Sequence, residues 1–85
     1  MLTDYITAAM HKAKYELLPD NEGYYGEIRA CRGVWSNADD LETCRTELKS
    51  CLEDWLILRL RNGNSIPVID RMNLNARRSR QKKVA

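Results

Sequence analysis

The sequence predicts an α+β domain in which a three-stranded antiparallel meander and a short fourth strand pack against one long helix, in the order α-β-β-β-α-β with a short helix first. Three observations carry this. Leu41, Cys44, Leu48, Cys51, Trp55 and Leu58 recur at intervals of three and four residues, which lays an apolar stripe along about five helical turns. Two short tyrosine-bearing runs flank the turn formers Pro19-Asp20-Asn21-Glu22-Gly23, as in a hairpin. Asn62-Gly63 then stops the stripe, where a glycine can adopt the left-handed conformation of a helix end.

Each element follows in order. Leu2, Tyr5, Ile6, Ala9, Met10 and Ala13 share one helical face, and Thr3 is a candidate cap, so residues 3–13 read as an amphipathic helix. Residues 14–18 alternate Tyr15 and Leu17 against Lys14 and Glu16, the period of a strand. The next strand is Tyr24-Tyr25-Gly26-Glu27-Ile28-Arg29-Ala30, with Gly26 marking a close backbone approach. After a turn at Cys31-Arg32-Gly33, Val34-Trp35-Ser36 supplies the third strand. Asn37, Ala38, Asp39 and Asp40 precede the long helix, and Asp39 with Glu42 has the spacing of a capping box. Ile66-Pro67-Val68-Ile69 reads as the fourth strand, at a sheet edge because Pro67 cannot donate to a ladder.

Length and composition bound the function. A chain of 85 residues supports one domain that buries only about 60–65% of its unfolded surface, so a two-domain enzyme is excluded. Hydrophobic residues at 44% and charged residues at 31% exclude a fibre or a wholly disordered chain. The longest uncharged apolar run, Trp55-Leu56-Ile57-Leu58, falls far short of the roughly 18 residues of a membrane span, and no basic flank with an apolar signal region opens the chain. A cytoplasmic protein without membrane attachment is expected. Cys31, Cys44 and Cys51 form an odd set without a CxxC and read as core thiols. The single histidine, His11, argues against most catalytic triads and multi-imidazole zinc sites, and neither GxGxxG nor GxxxxGK is present. Neither cofactor nor metal is expected, and no enzymatic activity.

Charge divides the chain. Residues 1–70 hold eight basic and twelve acidic side chains, a net −4, whereas residues 71–85 hold six basic side chains and no acidic one. The sequence therefore reads as a folded domain over 1–70 and a basic tail over 71–85 that stays mobile until an anionic partner orders it. Leu52, Leu56, Ile57 and Leu60 widen the apolar arc of the long helix beyond one stripe. That surplus, or an open strand edge, predicts a homodimer or higher homo-oligomer.

Taken as an ordered series, Tyr15-Glu16-Leu17, Gly23, Tyr24-Tyr25-Gly26-Glu27-Ile28, Gly33-Val34-Trp35, Asp40-Leu41-Glu42, Gly63 and Ile66-Pro67 resemble the HicB-like antitoxin family over residues 14–69. The resemblance implies a degraded ribonuclease H-like fold that binds and neutralises a small HicA-type messenger-RNA-cleaving toxin. The series departs from the family at Arg29-Ala30-Cys31-Arg32, where a proline-rich turn is usual. Many family members append a helix-turn-helix or ribbon-helix-helix module that represses their own operon. The present 85 residues leave no room for a helix-turn-helix, and only the basic tail remains for operator DNA.

Site candidates follow from charge and aromatic placement. A ribonuclease toxin presents a basic surface to RNA, so an acidic, aromatic antitoxin face made of Glu16, Glu22, Tyr25, Glu27 and Trp35 is the expected toxin-binding surface. Tyr24, Tyr25 and Trp35 could instead stack RNA bases, but the neighbouring glutamates disfavour it. Glu16, Glu27 and Asp70 are the carboxylates a ribonuclease H-like metal site would need, and solvated strand charges explain them more simply. The alternative function is a nucleic-acid-binding regulator using Arg77, Arg78, Arg80, Lys82 and Lys83.

Overall fold

The computed structural model describes residues 1–75. Helix α1 spans Leu2–His11, strands β1, β2 and β3 span Lys14–Leu17, Tyr24–Glu27 and Trp35–Ala38, and helix α2 spans Leu41–Asn62. The strands form one antiparallel sheet in the order β1-β2-β3. Its register places Tyr15, Gly26 and Ser36 in one cross-strand row and Glu16, Tyr25 and Asn37 in the next.

Because side chains alternate across a sheet, every second row faces α2. Gly26 and Ser36 are buried on that inner face. A Cβ at Gly26 would lie 3.0 Å from the Tyr15 ring and 3.3 Å from Cys44 Sγ, so the absent side chain lets α2 and Tyr15 close over β2. Ser36 donates to the Cys44 carbonyl at 2.8 Å, which satisfies a polar side chain buried under the helix. The β1–β2 hairpin closes through the Leu18 N–H donating to the Gly23 carbonyl at 2.8 Å. Gly23 sits at φ +92 with the Ala38 carbonyl where a Cβ would stand, so only glycine fits there.

Helix α2 is capped by Asp40, the last of the four residues that precede it, and not by Asp39 of the expected Asp39–Glu42 box. The Asp40 carboxylate accepts from Thr43 N–H at 2.7 Å and from the Thr43 hydroxyl at 3.0 Å. Its C-cap is Gly63 at φ 71, as expected. The buried row of α2 is Cys44, Leu48, Leu52 and Leu56, whereas Leu41 and Leu58 are exposed and Cys51 and Trp55 half-buried. An i, i+4 row is one ridge inclined to the helix axis, so the contact line drifts away from the stripe that averages 3.5 residues. Leu48, Leu52 and Leu56 pack in one core with Tyr5, Ala9, Ile28, Cys31, Val34, Ile66 and Ile69.

Helix α1 begins at Leu2 and takes its cap from the backbone, Tyr5 N–H donating to the Met1 carbonyl at 2.9 Å, with no side-chain cap from Thr3. β2 stops at Glu27, and Ile28, Cys31 and Val34 turn inward through the local bonds Cys31 N–H to Ile28 and Val34 N–H to Cys31. β3 accordingly starts at Trp35 and runs on to Ala38.

The fourth strand is not formed among the described residues. Ile69 and Met72 make only an isolated antiparallel bridge, around Asp70 and Arg71 in left-handed conformation at φ 48 and φ 68. The backbone groups a ladder would need are taken elsewhere. Tyr5 OH donates to the Pro67 carbonyl at 2.6 Å. The Asn75 side-chain amide receives the Ile66 N–H at 3.1 Å and donates back to the Ile66 carbonyl at 2.7 Å. One amide thus satisfies both polar groups of Ile66, as a neighbouring strand would. Met72 and Leu74 also pack against the core, so the folded chain continues past residue 70, where the sequence places the start of the tail, to residue 75.

Candidate functional site

The outer face of the sheet carries Lys14, Glu27 and Trp35 in one row and Glu16, Tyr25 and Asn37 in the next. Contacts of α2 fall on the opposite face. Trp35 is 54% exposed. It stacks on Tyr25 with ring centroids 6.1 Å apart and planes 24° from parallel, an offset geometry that holds both rings rigid across two strands. Tyr25 OH donates to Glu27 Oε1 at 3.2 Å, and Arg29 Nε donates to Glu27 Oε2 at 3.1 Å. Glu27 therefore ties the aromatic pair to the turn that follows β2. Partial desolvation, then the bond to Glu27 and the charges of Glu27 and Glu16, hold the Tyr25 phenol above its ordinary range, so it remains a neutral donor at neutral pH. A cleft of about 380 Å³ opens beside the pair, lined by Tyr25, Glu27, Arg29, Arg32 and Trp35 with the intervening turn.

Four of the five residues expected to form an acidic, aromatic face are thus on one surface: Glu16, Tyr25, Glu27 and Trp35. Glu22 is not on that row. It lies exposed in the β1–β2 turn, its N–H donating to the Pro19 carbonyl at 3.2 Å. Arg29 and Arg32, near this hairpin in sequence but not counted among the expected residues of the face, line its cleft, because the Ile28–Val34 turn folds inward by its apolar residues and leaves the arginines outside.

The proposed oligomer residues divide. Leu52 and Leu56 are core side chains, 0% and 1% exposed, and cannot meet a second copy. Ile57 and Leu60 stay exposed, together with Val68 and with Leu58, which the stripe expected to be inside. The inclined ridge explains the exchange, since it turns positions 52 and 56 toward the sheet and positions 57 and 58 away. Arg77, Arg78, Arg80, Lys82 and Lys83 lie outside the described residues.

Other chemistry finds these placements. Glu16 and Glu27 share the outer face, while Asp70 pairs with Lys12 at 3.4 Å. Among the described residues no group of three or more His, Cys, Asp or Glu side chains is placed to hold a metal. His11 is exposed at the end of α1. Cys31 and Cys44 are buried, Cys51 is half-buried, and all three are free thiols. Burial pushes the Cys31 thiol up, against the opposing effects of Tyr5 and Arg59. Among the described residues no helix is long and apolar enough to cross a membrane.

Comparison with known proteins places this architecture. A family model described as UPF0150-like matches residues 4–67, from α1 to the segment that Tyr5 holds. The crystal structure of TTHA0281 from Thermus thermophilus is similar over 86% of this chain and 90% of its own, with 41% identity and a TM-score of 0.80. No curated protein matches. With the family match spanning most of the folded residues, the chain belongs to the UPF0150-like family.

Proposed function

We propose that this protein is an antitoxin that binds a HicA-type messenger-RNA-cleaving toxin through the outer face of its sheet and masks the toxin's RNA-binding surface. The observation that carries the reading is the exposed Tyr25–Trp35 stack framed by Glu16 and Glu27. A preformed aromatic pair loses little freedom on binding and is the kind of anchor that dominates interface energetics. Carboxylates around it complement the basic surface a ribonuclease must offer to RNA. Membership in a HicB-related family supports the same partner. The mechanism is occlusion, and this chain contributes no chemistry of its own.

The decisive experiment co-expresses this protein with the product of the neighbouring reading frame, expected to be a small basic ribonuclease. The two should co-purify, and growth arrest by the neighbour should be relieved. Trp35→Ala should weaken the complex by about tenfold or more, as loss of a central aromatic anchor does, while the domain stays folded because Trp35 is half exposed. A neighbour that neither binds nor arrests growth overturns the proposal, as does a complex indifferent to both Trp35→Ala and Tyr25→Ala.

A homodimer fits the same reading, with exposed Ile57, Leu58 and Leu60 on α2 and two open sheet edges at β1 and β3 as the surfaces free for it. Operator binding by the basic tail is the second function class, supported by the charge division between residues 1–70 and 71–85. It is separable by truncation after Asn75, which should abolish salt-sensitive DNA binding and leave toxin masking intact.

A further inference from the structure

A second cleft lies where the C-terminal half of α2 meets the turn after β2. Its volume is about 210 Å³, and its walls are Arg32, Trp55, Arg59 and Ser65 with parts of residues 30, 66 and 67. Two arginines and no acidic residue line it. Among the described residues neither arginine makes an ion pair, although the same residues include twelve acidic and only nine basic side chains. In a body with surplus negative charge, two cations left facing one concavity form a local anion trap.

Arg59 is held in place before any ligand arrives. Its guanidinium carbon lies 5.0 Å from the centroid of the Trp55 ring, and its Nε donates to the Ser65 carbonyl at 2.7 Å. Those two contacts fix the plane of the fork and leave the terminal Nη groups as donors. Trp55 lies beside the turn containing Arg32, its indole Nε1 being 4.0 Å from where a Cβ on Gly33 would stand. Arg32 is exposed and supplies the second fork, and the Ser65 hydroxyl makes no hydrogen bond among the described residues.

We infer that this cleft binds a phosphate group, with Arg59 and Arg32 as its charged donors and Ser65 as a neutral one. A phosphate monoester carries close to two negative charges at neutral pH and three strong acceptor oxygens, which matches two guanidinium forks and a hydroxyl. A carboxylate would balance only one of the two cations. Arg32 also lines the cleft beside the Tyr25–Trp35 pair, whereas Arg59 and Ser65 lie outside that cleft, and the site's existence does not depend on the antitoxin reading.

The test is a titration of the full chain with inorganic phosphate, at constant ionic strength set by chloride, followed by NMR at Arg59 Nε–H and the Trp55 indole N–H. The expected result is a saturable shift of both signals, with sodium acetate over the same range producing a much weaker one. Arg32→Gln and Arg59→Gln should each weaken phosphate binding by about tenfold or more, the usual cost of losing a charge-assisted hydrogen bond. Arg32→Gln is the cleaner variant, since Arg32 is exposed and removing it leaves the Arg59–Trp55–Ser65 contacts in place. Shifts that fail to saturate, that are equal for acetate, or that persist unchanged in Arg32→Gln would overturn the assignment.

Discussion

Replacing Tyr5 tests how the two ends of the folded chain hold each other. The Tyr5 ring is 0% exposed, and its hydroxyl donates to the Pro67 carbonyl at 2.6 Å across 62 residues of sequence. Burial first, then the neighbouring Cys31, raises the phenol far above its ordinary range, so it stays protonated and donating through alkaline conditions. Tyr5→Phe keeps the ring and removes only the donor. It leaves the Pro67 carbonyl unpartnered, a cost of about 1–2 kcal/mol. Tyr5→Ala also empties the centre of the core, a cost of about 3–5 kcal/mol. A domain of this size has a total stability of roughly 4–13 kcal/mol at 0.05–0.15 kcal/mol per residue. Tyr5→Ala should therefore bring the chain close to unfolding at room temperature, while Tyr5→Phe remains folded. In urea, with a slope of about 1 kcal/mol per molar, Tyr5→Phe should lower the midpoint by about 1–2 M. A Tyr5→Phe midpoint equal to wild type would refute the tether, and a Tyr5→Ala protein within about 1 kcal/mol of wild type would refute the placement of Tyr5 in the core.

Three other outcomes are expected. Truncation after Asp70 removes Met72, Leu74 and both Asn75 bonds to Ile66 and should cost about 2–4 kcal/mol more in urea unfolding than truncation after Asn75; equal stability of the two would contradict the docking of residues 72–75. The bonds from Thr43 hold the Asp40 carboxyl below its ordinary range, so its contribution to stability is complete above the unfolded carboxyl value of about 3.9 and is lost as pH falls through the lower folded value. Asp40→Asn should keep the cap and lose this acid dependence, Asp40→Ala should lower the melting temperature at neutral pH, and an unchanged acid limb in Asp40→Asn would count against the assignment. Sedimentation at tens of micromolar should show a dimer that Ile57→Glu with Leu60→Glu converts to monomer; a monomeric wild type removes the proposed interface.

Much of this fold is legible because its signals are local. The capping carboxylate near residue 40, the left-handed Gly63, the hairpin closed at Gly23 and the alternation of Tyr15 and Leu17 with Lys14 and Glu16 each depend on backbone preferences within a few residues. Charge and aromatic content picked out Glu16, Tyr25, Glu27 and Trp35, and alternation across the paired strands is the reason they share one face. Periodicity along α2, by contrast, counts apolar residues without knowing the angle at which the helix crosses its partner. Only the tertiary structure decided that the inclined row Cys44, Leu48, Leu52 and Leu56 is buried and that Ile57 and Leu58 are not. The fate of Ile66-Pro67 was decided at still longer range. A hydrophobic β-branched run meets every local requirement of a strand, yet its backbone groups are claimed by Tyr5 and Asn75, one 62 residues before Pro67 and the other 9 residues after Ile66. Arg32, Trp55, Arg59 and Ser65 share no local pattern either, and become neighbours only because the end of α2 packs over the turn that joins β2 to β3. Hydrogen-bond partners and cleft walls are set by three-dimensional proximity, which no periodicity within a segment encodes.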